Sequence, residues 1–453
     1  MRTPGGRWGR SVAVVVATLM GLVGLGVGVG SGPAGAAAQP AQPAQGVTDS
    51  TIKLGLVQPD YDCIKDFVDF NRGDQEKTYK VFVDDLNAHG GILGRKVEPV
   101  YRDFCPIGNA QALAACTSFT EDDKVFAVVG VFIDQSGDAQ LCIAKNHQTV
   151  EIIHNVSQSW IDQAPKGLLL TPNITTDRRL SVILDLLGQK KMLKGKKVAV
   201  LTQQDSKDRV DDVVTPALKK MKVKQGTAAV LTITGTDTSA AQSQLESFIE
   251  KWKSEGIDAF VLVGQVVVAK NYVTMLKDAF PKATLIADQS PVALSGGQDA
   301  VAAKLDPNPY QGLISAEGQS EQARFETPVM QQCVKTYEQA TGTKVVAPKD
   351  VKPGPDGKRV EVYASVEDAC GDILFFKTIA EKAGKQLDNT TWTKAVDTMG
   401  PIDDQLVLGK WASLHTGKYD ANDTFGLVSF DSARGITGDW KALTPVEDVA
   451  GPS

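Results

Sequence analysis

Histidine is scarce in this chain. Four stand in 453 residues, His89, His147, His154 and His415, and they are scattered. None has the H-E-x-x-H spacing of a zinc hydrolase, and no G-x-S-x-G elbow or G-x-x-x-x-G-K phosphate loop is present. Motif support for hydrolysis or phosphoryl transfer is therefore missing, and the chain reads as a protein without catalytic, cofactor or metal chemistry. Glycosidase carboxylates are defined by a separation in space, so sequence leaves that class open. Acidic pairs such as Asp84-Asp85 and Asp403-Asp404 read as solvated charges. Lysine and arginine form no long run and the net charge is −6. Nothing here neutralises a phosphate backbone, so nucleic acid is not an expected partner. None of the six cysteines lies in a C-x-x-C, which removes the usual redox and zinc motifs.

The length suits two domains plus an export segment. Residues 1–38 read as a signal peptide: Arg2, Arg7 and Arg10 give a positive start, Val12 to Val29 is apolar, and Ala36-Ala37-Ala38 forms a small-residue cleavage site. The apolar run is long for a signal peptide, so an uncleaved membrane anchor is the alternative. No cysteine follows it to accept a lipid, and no adjacent arginine pair precedes it. The expected location is outside the cytoplasm, in the cell envelope or beyond. Gly24-Leu25-Gly26-Val27-Gly28 imitates a nucleotide loop but lies inside the export segment. Residues 39–47 form a Pro/Gln/Ala linker.

From there strands and helices alternate. Ile52–Val57, Lys96–Arg102, Val125–Val129 and Val150–Ile153 read as strands. Tyr79, Phe82, Val83 and Leu86 fall at i, i+3, i+4 and i+7, one helix face, and Ala110, Leu113, Ala114 and Thr117 mark another. After Pro165 the pattern restarts, with helix faces at Leu180–Leu187, Leu245–Trp252 and Tyr272–Ala279. Between them lie strands at Lys197–Leu201, Ala259–Val263, Leu285–Ala287 and Gly312–Ser315. Helices follow at Val329–Ala340 and around Ala369, Ile373, Phe376 and Ala380. The Pro/Gly/Lys-rich Lys344–Arg359 between them reads as a surface insertion, and Gly426–Phe430 is a late strand. Such alternation implies α/β architecture with parallel sheets, and two successive runs imply two lobes. In open parallel sheets ligands sit beyond the carboxyl ends of the strands, so two such lobes make a cleft.

The segment Asn87-Ala88-His89-Gly90-Gly91-Ile92-Leu93-Gly94-Arg95-Lys96-Val97 resembles the N-a-x-G-G-i-x-G-r-k-v turn of the leucine/isoleucine/valine-binding family. These are the type I periplasmic binding proteins of ABC importers. Cys105-Pro106, Val128-Val129-Gly130, Gly195–Leu201 and Tyr363–Ala369 resemble later family segments in order and spacing. The resemblance implies two doubly wound parallel-sheet lobes joined by a three-crossover hinge. It places lobe 1 at 48–171 plus 316–400 and lobe 2 at 172–315 plus 401–453.

It also implies where a ligand is held. The candidate residues are Tyr61 after the first strand, Asp134 and Ser136 after the third, and His154, Asn155 and Ser157 after the fourth. In lobe 2 they are Asp205, Gln265, Asp288 and Gln289. The family's stacking tyrosine is absent from Asp205–Arg209, and its S-P-x-A-T turn is replaced by bulkier polar groups. A small polar ligand such as an amino acid, an amide or a relative is the expectation. An even cysteine count with an export signal favours disulfides. The family's strand order implies the pairs Cys63–Cys105, Cys116–Cys142 and Cys333–Cys370, all in lobe 1. The implied role is a monomeric, non-enzymatic carrier that hands solute to an ABC permease. A sensor of the same fold and, with less support, an exported enzyme are the alternatives.

Overall fold

The computed structural model describes residues 44–449 apart from 66–69, 107–108, 133–135, 233–238, 265–269, 289–307, 356–357, 403–409 and 435–439. The signal peptide and the first part of the linker lie outside these residues, as do Asp134, Gln265 and Gln289. Val47, read from sequence as the end of the linker, is buried and bridges Ile52. One apolar residue beside a strand start is enough to extend the core, and composition does not reveal it.

The first sheet is parallel and five-stranded. Its strands are β1 (Thr51–Pro59), β2 (Lys96–Phe104), β3 (Ala127–Gly130), β4 (Val150–Ile153) and β5 (Leu169–Leu170), in the order β2-β1-β3-β4-β5. The inner strands β1, β3 and β4 are largely buried on both faces, as a sheet covered by helices on both sides requires, whereas the edge strand β2 exposes Lys96, Glu98 and Asp103. The helix Gln75–Ala88, capped by the Asp74 carboxylate, buries Tyr79, Phe82, Val83 and Leu86. It ends in a turn where Gly91 has φ +67°, and a Cβ there would meet the Arg95 carbonyl oxygen at 1.9 Å. Only glycine fits, which is why that turn carries a recognisable motif. The helix Ala110–Thr117 buries Ala112, Ala115 and Cys116, not the face at Ala110, Leu113, Ala114 and Thr117 read from the sequence. With alanine at half of its positions the helix gives periodicity little to select on, and Cys116, bridged to Cys142, lies on the buried face.

The second sheet joins β6 (Lys197–Gln203), β7 (Lys224–Leu231), β8 (Ala259–Leu262), β9 (Thr284–Ala287), β10 (Ile314–Glu317), β11 (Thr424–Ser429) and β12 (Lys441–Ala442). Its order is β12-β11-β10-β9-β8-β6-β7, parallel except at β11 and β12. Successive residues of β6 face opposite sides. Val198 and Val200 join one core with Leu180, Ile183 and Leu187, and Ala199 and Leu201 join another with Leu245 and Trp252. The first lobe has its own core, which includes the helix Val362–Ala383 and takes in Ile402, Leu414 and Tyr419.

Three stretches connect the lobes. One leaves β5 at Thr171, one leaves β10 after Glu317, and one enters β11 at Thr424. The first and third lie side by side: Thr171 donates its N–H to the Tyr419 carbonyl at 3.0 Å, and Ala421 donates back to Thr171 at 2.9 Å. A buried ionic group locks them. Arg178 donates to Asp420 at 2.6 Å and also to Asp423, while Lys418 lies 3.0 Å from Asp423. Thr175 N–H and Ser413 Oγ supply further donors to these two carboxylates. Two cations face two anions and the group is closed on itself.

Cys63–Cys105, Cys116–Cys142 and Cys333–Cys370 are bridged, each within the first lobe. Opening any one of them by a double Cys→Ala change is expected to lower stability by about 2–4 kcal/mol, read from urea denaturation. Arg178→Ala leaves Asp420 and Asp423 short of charge and is expected to cost about 3 kcal/mol in the same assay; a loss under ~0.5 kcal/mol would contradict the closed ionic group.

Candidate functional site

All three connections meet the same end of each sheet, the carboxyl end of the parallel strands, because β11 runs antiparallel and starts where β10 stops. Strand order reverses between β1 and β3 in one sheet and between β6 and β8 in the other. Both reversal points therefore open on the crossovers, where α/β sheets place ligands.

On the first lobe a polar cluster stands at these strand ends. His154 follows β4 and donates from Nε2 to Asp372 at 2.7 Å; its Nδ1 is 3.7 Å from Asp368. Tyr79 donates its hydroxyl to the other Asp372 oxygen at 2.6 Å and receives the Gln58 amide at 2.7 Å. Arg72 pairs with Asp368 at 3.0 Å. Its guanidinium carbon lies 5.9 Å from the Tyr61 ring centre and 5.6 Å from that of Phe70, a double cation–π contact. The short parallel pairing of Phe70–Asn71 with Arg359–Val360 holds Arg72 there. Asp372 is 1% exposed, whereas His154, Arg72 and Asp368 keep 17–21% of their side-chain surface. The Nε of Arg72 is buried without a hydrogen-bond partner.

On the second lobe Asp288 follows β9. It accepts from Arg209 at 2.8 Å and from the Gly264 N–H at 2.9 Å, and Arg209 also donates to Ser206 at 2.6 Å. Gly264 has φ +81°, and a Cβ there would come within 2.4 Å of the Ser206 hydroxyl. The close turn after β8 thus depends on glycine. Asp288 Oδ1 and Arg179 Nε are buried with no hydrogen-bond partner.

The structure places the sequence-derived candidates unevenly. Tyr61 and His154 join the first cluster, and Asp288 anchors the second. Ser157 caps the helix Gln158–Gln163, accepting from Trp160 N–H. Ser136 is exposed and accepts from the Asp138 N–H. Asn155 is half-buried and Asp205 is exposed. Arg72, Asp368, Asp372, Arg179 and Arg209 were not singled out in sequence. Asp368 and Asp372 are spaced i, i+4 and so share one face of the helix Val362–Ala383, the one local signal that marks them.

Burial opposes charge on His154, but Asp372 and its hydrogen bond, with Asp368 beyond, overcome it and raise the pKa to about 9. Burial raises Asp368 against the pull of Arg72 and His154. Burial lowers the pKa of Arg179, with Glu317 and Asp288 opposing from a distance. A histidine held above its ordinary 6.5 stabilises the fold fully below that pH, and the contribution fades as pH rises through about 9. The stability gap between the native protein and His154→Gln is therefore expected to be widest near pH 6 and to narrow up to pH 9; a gap that is flat over that range would contradict the charged His154.

Comparison with known proteins now bears on this arrangement. The family model described as "Periplasmic binding protein" matches residues 71–424. No curated protein matches the chain by sequence. Among solved structures, a fatty acid ABC transporter substrate-binding protein from Thermomonospora curvata is similar, with 17% identity and a TM-score of 0.61 over 90% of this chain and 95% of that one. A solute-binding protein from Rhodopseudomonas palustris BisB5, solved with 3,4-dihydroxybenzoic acid, is 14% identical with a TM-score of 0.59, over 89% and 98% of the chains. A leucine-binding protein from Thermotoga maritima is 13% identical with a TM-score of 0.58, over 88% and 99%. At such identities the structures share the fold, while the family match spans most of the sequence: the chain belongs to the periplasmic binding protein family.

Proposed function

We propose that this chain captures a small polar solute between its two lobes and presents the closed complex to the permease of an ABC importer. The single observation that supports this most is the pair of polar clusters, one on each lobe, at the strand ends that the three crossovers join. Among the described residues neither cluster shows the parts of a hydrolase: His154 is held in an ion pair with Asp372, and no described serine or cysteine bonds to it. The family is an exported one, and among the described residues no helix is long and apolar enough to cross a membrane. Export through a cleaved signal peptide and action as a monomer belong to the same proposal.

Mechanically, the crossovers allow the lobes to rotate as bodies, each with its own core. Bound solute supplies contacts to both walls only when they approach, so it shifts the population toward the closed form. Tyr61, Arg72 and His154 would line the first wall; Ser206, Arg209 and Asp288 the second.

A thermal-shift screen of amino acids, amides, hydroxy acids and sugars is expected to yield at least one stabilising solute. At 100 times its Kd such a solute stabilises by about 2.7 kcal/mol. The same solute is expected to reduce the radius of gyration in small-angle scattering. Turnover of the solute, or stabilisation with no change in scattering, would contradict capture by closure.

A further inference from the structure

The geometry points to a second site on the first lobe, away from the cleft: with the Cys116–Cys142 bridge open, the two cysteine sulfurs and the His147 imidazole hold a zinc-class divalent cation. In the folded chain both Sγ atoms and a ring nitrogen of His147 lie within 4.8 Å of one another. Cys116 is buried, while Cys142 and His147 are half-buried, so the group is reached from solvent through the latter two. Glu121 stands beside them, its Oε1 3.5 Å from His147 Nε2.

The backbone builds this group. The helix Asp138–Leu141 widens into a turn over Cys142–Asn146, where His147 donates its N–H to the Cys142 carbonyl at 3.1 Å, five residues back. An ordinary α-helix sets residues five apart about 140° around its axis. The i→i+5 bond brings them toward one face. The helix Ala110–Thr117 widens likewise over Ser118–Asp122, where Asp123 donates to the Ser118 carbonyl at 2.9 Å, and Glu121 stands five residues past Cys116. Two widened turns thus gather two sulfurs, an imidazole and a carboxylate. Glu121 precedes β3 and His147 precedes β4, so the group lies toward the amino ends of these strands, away from the crossovers. It stands independently of solute capture.

Two thiolates and an imidazole are the donors of a zinc site with one open position. Sulfurs on a tetrahedral zinc sit about 3.8 Å apart, against about 2 Å in a disulfide. Rotation of the two cysteine side chains covers that difference. Glu121 is the positioning residue, holding the imidazole as carboxylates do behind metal-bound histidines. Opening the bridge takes a reductant of the dithiol class. It gives up two electrons and two protons, the S–S bond breaks to two thiols, and the dithiol closes to its own disulfide. Zinc then displaces both thiol protons to solvent and binds the thiolates. The closed disulfide offers no thiolate and therefore no site. The state that carries metal is the chain before its bridges close, when Cys63, Cys105, Cys333 and Cys370 compete as partners. Metal at this place keeps Cys116 and Cys142 together until oxidant arrives.

The test uses the whole exported protein, reduced with a dithiol that is then removed without oxygen, and titrated with cobalt(II) as a visible stand-in for zinc. One equivalent is expected to give the absorption bands of tetrahedral, thiolate-bound cobalt, bleached by added zinc, and the oxidised protein is expected to give none. Glu121→Gln is expected to weaken cobalt by roughly tenfold to a hundredfold and leave the bands in place. His147→Ala is expected to weaken it further and to move the bands. In the native chain zinc is expected to protect Cys142 from alkylation, read by mass spectrometry, while the similarly half-buried Cys63 and Cys105 stay reactive. The inference is overturned if the reduced protein binds no cobalt, or if the double variant Cys116→Ser, Cys142→Ser binds it equally well. It is also overturned if zinc leaves Cys142 as reactive as Cys63, whether or not the reduced chain stays compact. Unchanged bands and affinity in His147→Ala would overturn it too, leaving the ring in a surface ion pair with Glu121 alone.

Discussion

Charge that leaves water must find its opposite, and that constraint organises the region where the two lobes join. Arg178 and Lys418 meet Asp420 and Asp423 between the first and third crossovers, with backbone and hydroxyl donors completing the shell. Four charged groups, none more than 21% exposed, would be ruinous singly and are tolerable together. The group ties residues about 245 apart in sequence, so it forms only when both lobes and the third crossover are in place. A hinge built this way bends around a fixed electrostatic point.

The lobes differ in how they are held. The first carries all three disulfides. One joins the loops after β1 and β2, and one joins the helices Pro328–Thr341 and Val362–Ala383, on the latter of which Asp368 and Asp372 stand. Those bridges fix the wall that carries His154 and Arg72. Among the described residues the second lobe relies on apolar packing on both faces of its sheet, with Trp252, Phe260 and Tyr272 fully buried. A stiff first wall and a second wall set by packing suit a clamp in which one side positions the solute and the other closes on it.

How much of this was legible in the sequence follows from how far each signal reaches along the chain. The alternation of strands and helices, the Gly90-Gly91 turn and the periodic faces at Tyr79–Leu86 and Leu180–Leu187 are local, and the structure shows them. The buried face of the alanine-rich helix at 110–117 was misread because alanines on several faces leave little contrast. His154 and Asp288 were visible because strand-end loops are short and their positions countable. Their partners were not: Asp372 lies 218 residues from His154, and Asp368 lies 296 from Arg72. Only the folded helix Val362–Ala383 brings them there. Arg179 was hidden differently, since an arginine in a charged helix start looks like surface until its buried Nε is seen.

The central claim is that a solute is gripped between the two walls at the strand ends. A crystal structure of the protein with its bound solute tests it most directly. The account predicts electron density that touches the Arg72–His154 wall on one side and the Arg209–Asp288 wall on the other, with the lobes closer than in the unliganded protein. Density for the solute outside this groove, or contact with one lobe only in an unmoved structure, would contradict it.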